Sequence, residues 1–210
     1  MIEPSRDCPL CPRLEAFRER QRNEHPDWHN APVPSFGGTE GRLLIVGLAP
    51  GLRGANRTGR PFTGDYAGDL LFATLPKYGF ATGEYGSNPG DGLTLIDCRI
   101  TNAARCVPPE NKPLPAEIAA CRPFLVDEIA SLKNVRAILA LGSVAHESAL
   151  RTLGQRIAAY RFAHGAMHEL PGGMLLADSY HCSRYNTNTG RLTVEMFEAV
   201  FAELRRRLDR

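Results

Sequence analysis

Four short apolar runs decide what this chain can fold into. They lie at residues 42–48 (RLLIVGL), 93–101 (LTLIDCRIT), 136–142 (RAILALG) and 174–180 (MLLADSY). Most carry Leu, Ile and Val at successive positions, so both faces of each strand are apolar. Strands of that kind belong in a parallel sheet covered on both sides. Amphipathic segments separate them. Residues 65–78 place Leu70, Leu71, Ala73, Thr74 and Leu75 on roughly one face. Residues 115–131 carry Ile118, Ala119, Phe124, Leu125 and Ile129, and residues 193–208 carry Met196, Phe197, Val200, Phe201 and Leu204 at helical spacing. Ser143 reads as the N-cap of another helix over 144–153. This alternation, with right-handed crossovers, predicts a three-layer α/β/α sandwich around a four-stranded parallel sheet.

The 210 residues suit one domain with a real core. Residues 1–40 hold one helical run (13–22), and a Pro/Gly-rich stretch follows at 26–41. They read as an arm laid on that core. With 43% apolar residues, 23% charged residues and a net charge of +2, the chain is not a disordered tail. No apolar run approaches the ~20 residues that span a bilayer. The first residues lack the basic and apolar regions of a signal peptide. The expected setting is therefore the cytoplasm, with no membrane partner.

The six cysteines are informative through their positions. Thiols in a reducing cytosol gain little from disulfides. Cys8 and Cys11 form C-x2-C, which brings two sulfurs close enough to share a metal centre. Cys106 and Cys121 bracket VPPENKPLPAEIAA, a four-proline loop that needs a fixed point at each end. Four thiolates suit Zn²⁺ or an iron–sulfur cluster, and ligand type does not choose between them. Cys98 falls in a strand pattern and reads as packing.

Ligands of open α/β sheets bind at the carboxyl ends of the strands. After the first strand comes GLAPGLRGANRTGRPFTGD, a loop that is neither a P-loop nor G-x-G-x-x-G. Its glycines allow close backbone approach. Arg53, Arg57 and Arg60 occur before any acid, which points to phosphate contacts. After the second strand, Asn102 offers a donor and an acceptor together, suited to a base edge or an amide. After the fourth, residues 179–193 (SYHCSRYNTNTGRLT) contain His181, Arg184, Asn186 and Arg191 and no acid. His146 reads as structural or surface, and His25, His29, His164 and His168 have no evident partner.

The segments 47–69, 101–106 (TNAARC) and 179–193, with the four cysteines, resemble the motifs of the uracil-DNA glycosylase superfamily. The iron–sulfur classes are most similar, and family 5 (type B) above all. The resemblance runs from Cys8 to the last helix. It implies a structural [4Fe–4S] cluster on Cys8, Cys11, Cys106 and Cys121. It implies hydrolysis of the N-glycosidic bond of uracil in DNA, with hypoxanthine and other damaged bases as further substrates. Phe62 would stack on the flipped base, and backbone amides of Leu48, Ala49 and Gly51 would bond its carbonyls. Asn102 would contact its edge, and His181 would stabilise the departing anion. Asp65 would orient water and stabilise the sugar cation, or cap the following helix, or both. Arg53, Asn56, Arg60, Ser183, Arg184, Asn186 and Arg191 would contact DNA, and residues 182–188 would enter the duplex. The family usually has Pro after the His. Here Cys182 stands in that place, which questions the loop's stiffness. The expected protein is a monomer. The alternatives are a uracil-specific family 4-like enzyme and a non-catalytic iron–sulfur DNA-binding protein.

Overall fold

The computed structural model describes residues 1–210. In chain order its elements are α1 (Pro12–Glu24), β1 (Leu43–Gly47), α2 (Ala55–Thr58), α3 (Tyr66–Thr74), β2 (Ala81–Thr82), β3 (Thr94–Leu95) and β4 (Cys98–Asn102). Then follow α4 (Pro115–Ser131), β5 (Ala137–Leu141), α5 (Ser143–Thr152), β6 (Met167–Glu169), β7 (Leu175–Ser179), α6 (Arg184–Asn188) and α7 (Val194–Leu208). The main sheet has the order β4-β1-β5-β7-β6. Its first four strands are parallel, as the apolar runs require. Alternate residues serve the two faces. Leu44, Val46, Ile138 and Ala140 pack under α4 and α5, while Leu43, Ile45, Leu139 and Ala177 pack against α3 and α7. Helices therefore cover both sides.

The sheet has five strands, not four. β6 joins the edge antiparallel to β7. Three partly exposed residues, MHE, carry no strand pattern in sequence. Tertiary contacts hold them instead: His168 donates from Nε2 to Asp178 (3.1 Å), and His146 donates from Nδ1 to the same carboxylate (2.7 Å). His146 Nε2 also faces an acceptor, the Tyr160 carbonyl at 2.9 Å. Both ring nitrogens must then carry protons. Burial opposes that charge, but the Asp178 hydrogen bond prevails and raises the imidazole pKa.

The second apolar run is also divided. Its first part pairs with β2 in a small hairpin, and its second part is β4. The break falls at Asp97, whose φ of 55° is left-handed. Its carboxylate accepts from Arg42 (2.6 Å) and Arg205 (3.1 Å), so it cannot sit inside a buried strand. Ser143 is the first residue of α5 rather than its cap. Gly142, at φ 104°, takes the cap position without a side-chain bond.

The arm lies on the free edge of β4. Phe36 bridges Ile100, and Val33 N–H donates to the Arg105 carbonyl (2.7 Å). No helix is long and apolar enough to cross a membrane.

Candidate functional site

The register of the sheet places Gly47 beside Asn102. The loops leaving these two strands and β7 enclose a cleft of about 520 Å³. Its floor depends on the absence of a side chain at Gly47. A Cβ there would stand 2.7 Å from the Phe62 ring and would collide with Asn102 Oδ1. Glycine thus lets Phe62 and the Asn102 carboxamide close over the strand end. Phe62 holds a left-handed φ of 54°, unusual for an aromatic residue. Its ring lies 6.0 Å from the His181 ring, with 27° between their planes.

The first loop contributes backbone. Leu48, Ala49, Pro50, Gly51 and Leu52 line the cleft, and the amides of Ala49 and Gly51 have no acceptor within the protein. Asp65 faces them from the start of α3. Its Oδ1 caps the helix by accepting from Gly68 N–H (3.2 Å). Its Oδ2 rests against Gly51, where a Cβ would come within 2.8 Å. Burial raises the Asp65 pKa, and the cap hydrogen bonds only partly offset this. The capping expectation for Asp65 holds, and one carboxylate oxygen is left for the cleft.

His181 enters from the loop after β7. Burial pushes its pKa down to about 4, so the imidazole is neutral at neutral pH. Its backbone is fixed on both sides. The His181 carbonyl accepts from Asn186 Nδ2 (2.8 Å), and Cys182 Sγ–H donates to the Ala67 carbonyl in α3 (3.3 Å). Cys182 is fully buried. Side-chain anchoring supplies the stiffness that a proline ring would give. Ser183 caps α6 and also lines the cleft.

Two of the expected DNA contacts are corrected. Arg60 is only 5% exposed. Its guanidinium grips Asp91 at 2.8 and 2.6 Å, donates to Thr63 Oγ1 at 2.7 Å and lies over the Phe36 ring. That pairing holds the Asp91 carboxyl well below the usual range. Arg60 is a buried brace, and its basic charge in the sequence pattern gave no sign of the partner 31 residues away. Replacing it with Ala strands a buried carboxylate. We expect chemical denaturation to show a loss of about 3 kcal/mol, whereas a DNA-contact role would leave stability unchanged. Asn56 is also buried. It donates to Asn30 Oδ1 (2.8 Å) and fastens the arm to the first loop.

The remaining basic residues do face outward. Arg53, Arg57, Arg184 and Arg191 are exposed. Arg53 and Arg184 line the cleft, with Arg184 stacked over the Tyr66 ring at 5.2 Å. Arg191 lies over Tyr180 at 4.5 Å. Sequence reasoning missed three residues here: Tyr66 and Asn111 in the cleft wall, and Tyr185 on α6, which is 71% exposed. An aromatic residue among Arg, Asn and Thr was the available signal for Tyr185. The proline-rich loop around Asn111 was noted only for its cysteines, and nothing in it pointed to the cleft.

Cys8, Cys11, Cys106 and Cys121 converge on a second pocket, from the arm, the β4 loop and α4. All are free thiols. Tetrahedral zinc, with bonds of about 2.3 Å, needs sulfurs about 3.8 Å apart. No three of these sulfurs lie within 4.8 Å of one another. Arg18 bears on what the four thiols could hold. It is buried without a carboxylate partner, donates to Cys106 Sγ (3.4 Å), and its Nε has no acceptor. A buried cation beside four thiols calls for an anionic group. Cys98 packs in the core, as expected.

Comparison with known proteins agrees with this geometry. Residues 34–205 match the family model described as the uracil DNA glycosylase superfamily. A type-5 uracil-DNA glycosylase of Thermus thermophilus is 48% identical, over 95% of this chain and 93% of its own length. Pyrobaculum aerophilum offers a contrast within one organism. Its type-5 uracil-DNA glycosylase is 38% identical over 92% of this chain and 86% of its own. Its type-4 enzyme is 34% identical over 72% and 63%.

Proposed function

The chain belongs to the uracil DNA glycosylase superfamily and acts as a uracil-DNA glycosylase, and we propose that the strand-end cleft carries the chemistry. The observation behind this is that Asp65 and His181, from two separate strand-end loops, face one cleft floored by Phe62 and Asn102.

Flipping a nucleotide out of the duplex costs on the order of a few kcal/mol. Tyr185, exposed on the loop that enters the duplex, offers an aromatic face to the gap left behind. Inside, Phe62 stacks on the base. The free amides of Ala49 and Gly51 bond its carbonyls, and Asn102 meets its edge. As the glycosidic bond lengthens, negative charge collects on the base and positive charge on the sugar. His181, as a neutral N–H donor, stabilises the first. The Asp65 carboxylate stabilises the second and orients the water that attacks C1′. Arg53, Ser183, Arg184 and Arg191 hold phosphates, with Asn186 acting through the His181 backbone.

The wall formed by residues 48–51 is backbone, so it selects by shape and carbonyl position rather than by one side chain. With a cleft of about 520 Å³, this supports activity on hypoxanthine and other deaminated bases. The greater coverage by type-5 relatives favours the family 5 reading over the family 4-like alternative. The four cysteines would hold a [4Fe–4S] cluster. When bound, it supplies a cross-link between the arm, the β4 loop and α4, making one domain of the whole chain. We read the protein as a cytoplasmic monomer.

The test is incubation of the protein with oligonucleotides carrying uracil, hypoxanthine, xanthine or ethenocytosine, followed by alkali. Strand scission at uracil is expected, with scission at hypoxanthine as the sign of breadth. Absence of abasic sites on every substrate overturns the assignment. Metal analysis of protein prepared without air should find iron and sulfide, and zinc alone refutes the cluster.

A further inference from the structure

The left-handed φ of Phe62 is strained for an aromatic residue, so contacts outside the turn must hold it. Within the turn, Thr63 N–H donates to the Arg60 carbonyl (3.2 Å). Gly64 is left-handed as well, at φ 84°. Neither the Phe62 carbonyl nor the Gly64 N–H finds a backbone partner. The Tyr85 hydroxyl meets both. It accepts from Gly64 N–H (3.0 Å) and donates to the Phe62 carbonyl (3.4 Å). Gly68 of α3 leaves room for this approach, since a Cβ there would overlap the Phe62 carbonyl and stand 2.7 Å from the hydroxyl. Tyr85 is itself fixed. Its ring packs on Phe72, with centroids 4.7 Å apart. The segment after it is drawn in by Asp91, which accepts from Gly86 N–H (2.9 Å) and Leu93 N–H (3.0 Å) while paired with Arg60. Tyr85 does not line the cleft, and it lies 23 residues from Phe62 in sequence.

We propose that Tyr85 is a positioning residue for base binding: its hydroxyl holds the 62–64 turn in the shape that presents the Phe62 ring to the flipped base. This rests on the glycosylase reading, in which Phe62 stacks on that base. Without the hydroxyl, two backbone groups lose their only protein partner and no tertiary contact opposes relaxation of the strained φ. The turn then drifts, and the ring leaves the plane that the base needs. The loss falls on the base alone, because the phosphate contacts come from residues outside the turn.

Fluorescence anisotropy with two duplexes separates the base from the rest of the DNA. One carries a 2′-fluorinated uracil nucleotide, which resists excision. The other carries a tetrahydrofuran abasic analogue, which offers no base to stack on. Tyr85→Phe removes the hydroxyl and keeps the ring on Phe72. It should weaken binding of the uracil duplex about 5-fold, a partial loss of one base–aromatic stack, and leave binding of the tetrahydrofuran duplex unchanged. Phe62→Leu should show the same selective loss, at least as large, and Tyr85→Phe should add nothing in that background. Wild-type affinity for the uracil duplex in Tyr85→Phe overturns the proposal. Equal losses on both duplexes also overturn it, since they mark a purely structural role, and so does a further loss in the Phe62→Leu background. A selective loss in Phe62→Leu without one in Tyr85→Phe refutes the Tyr85 role alone, whereas its absence from both refutes the stacking by Phe62 as well. Uracil excision by the wild type is read separately, so neither result is confused with a failure of the glycosylase reading.

Discussion

Replacing Asp65 with Asn should lower the saturating single-turnover rate of uracil excision by about 100-fold or more, with little change in stability. The two effects separate because Asn caps a helix as well as Asp does. Its Oδ1 can still accept from Gly68 N–H, so α3 keeps its start. What is lost is the charge beside Gly51 and the acceptor for water. The pH profile gives a second reading. Burial raises the Asp65 pKa above the ordinary 3.8. In the proposed mechanism the working form is the carboxylate, so the rate should fall as pH drops through that raised value. The midpoint of this acid limb should lie above 3.8 in the wild type, and the limb should vanish from the residual activity of Asp65→Asn. A variant with wild-type rates would show that the carboxylate serves only as a cap.

The core of the fold was legible because each apolar run is buried on both faces, and burial is what periodicity reports. Leu43 to Val46 illustrate this: all four are fully buried, two toward each layer. What escaped was set by pairings distant in sequence. β6 exists through Asp178, and Asp97 divides a run that hydropathy reads as continuous. The site shows the same division. His181, Asp65, Phe62 and Asn102 could be placed because family motifs carry their positions. Arg60 and Asn56 sit inside the same motif yet face inward, since Asp91 and Asn30 claim them. A motif specifies residue types along the chain. It does not say which basic residue finds an acid after folding. Asn111 was hidden for the converse reason: its proline-rich loop was read only as a tether between two cysteines, and the fold alone brings its tip to the cleft.

Replacement of His181 by Ala should cost about 10²- to 10³-fold in the saturating excision rate, or roughly 3–4 kcal/mol of transition-state stabilisation, while DNA affinity changes little. The argument turns on the charge state. With its pKa held near 4 by burial, His181 is neutral when the enzyme works. In the proposed mechanism it therefore contributes a directed hydrogen bond, not an ion pair, to the departing base. A neutral donor is at its best against an anion in a site that excludes water, since no charged partner must be desolvated beforehand. Two consequences distinguish this from an imidazolium mechanism. The His181-dependent part of the rate should stay flat across the neutral range, where a residue with an ordinary histidine pKa would titrate. His181→Gln, which keeps a neutral N–H donor on a side chain of similar reach, should recover part of the loss seen in His181→Ala. The backbone anchors formed by Asn186 and Cys182 do not involve the imidazole, so both variants should keep the loop in place. A rate that drops through a midpoint near 6.5 as pH rises, with no recovery by Gln, would assign the role to a charged histidine instead.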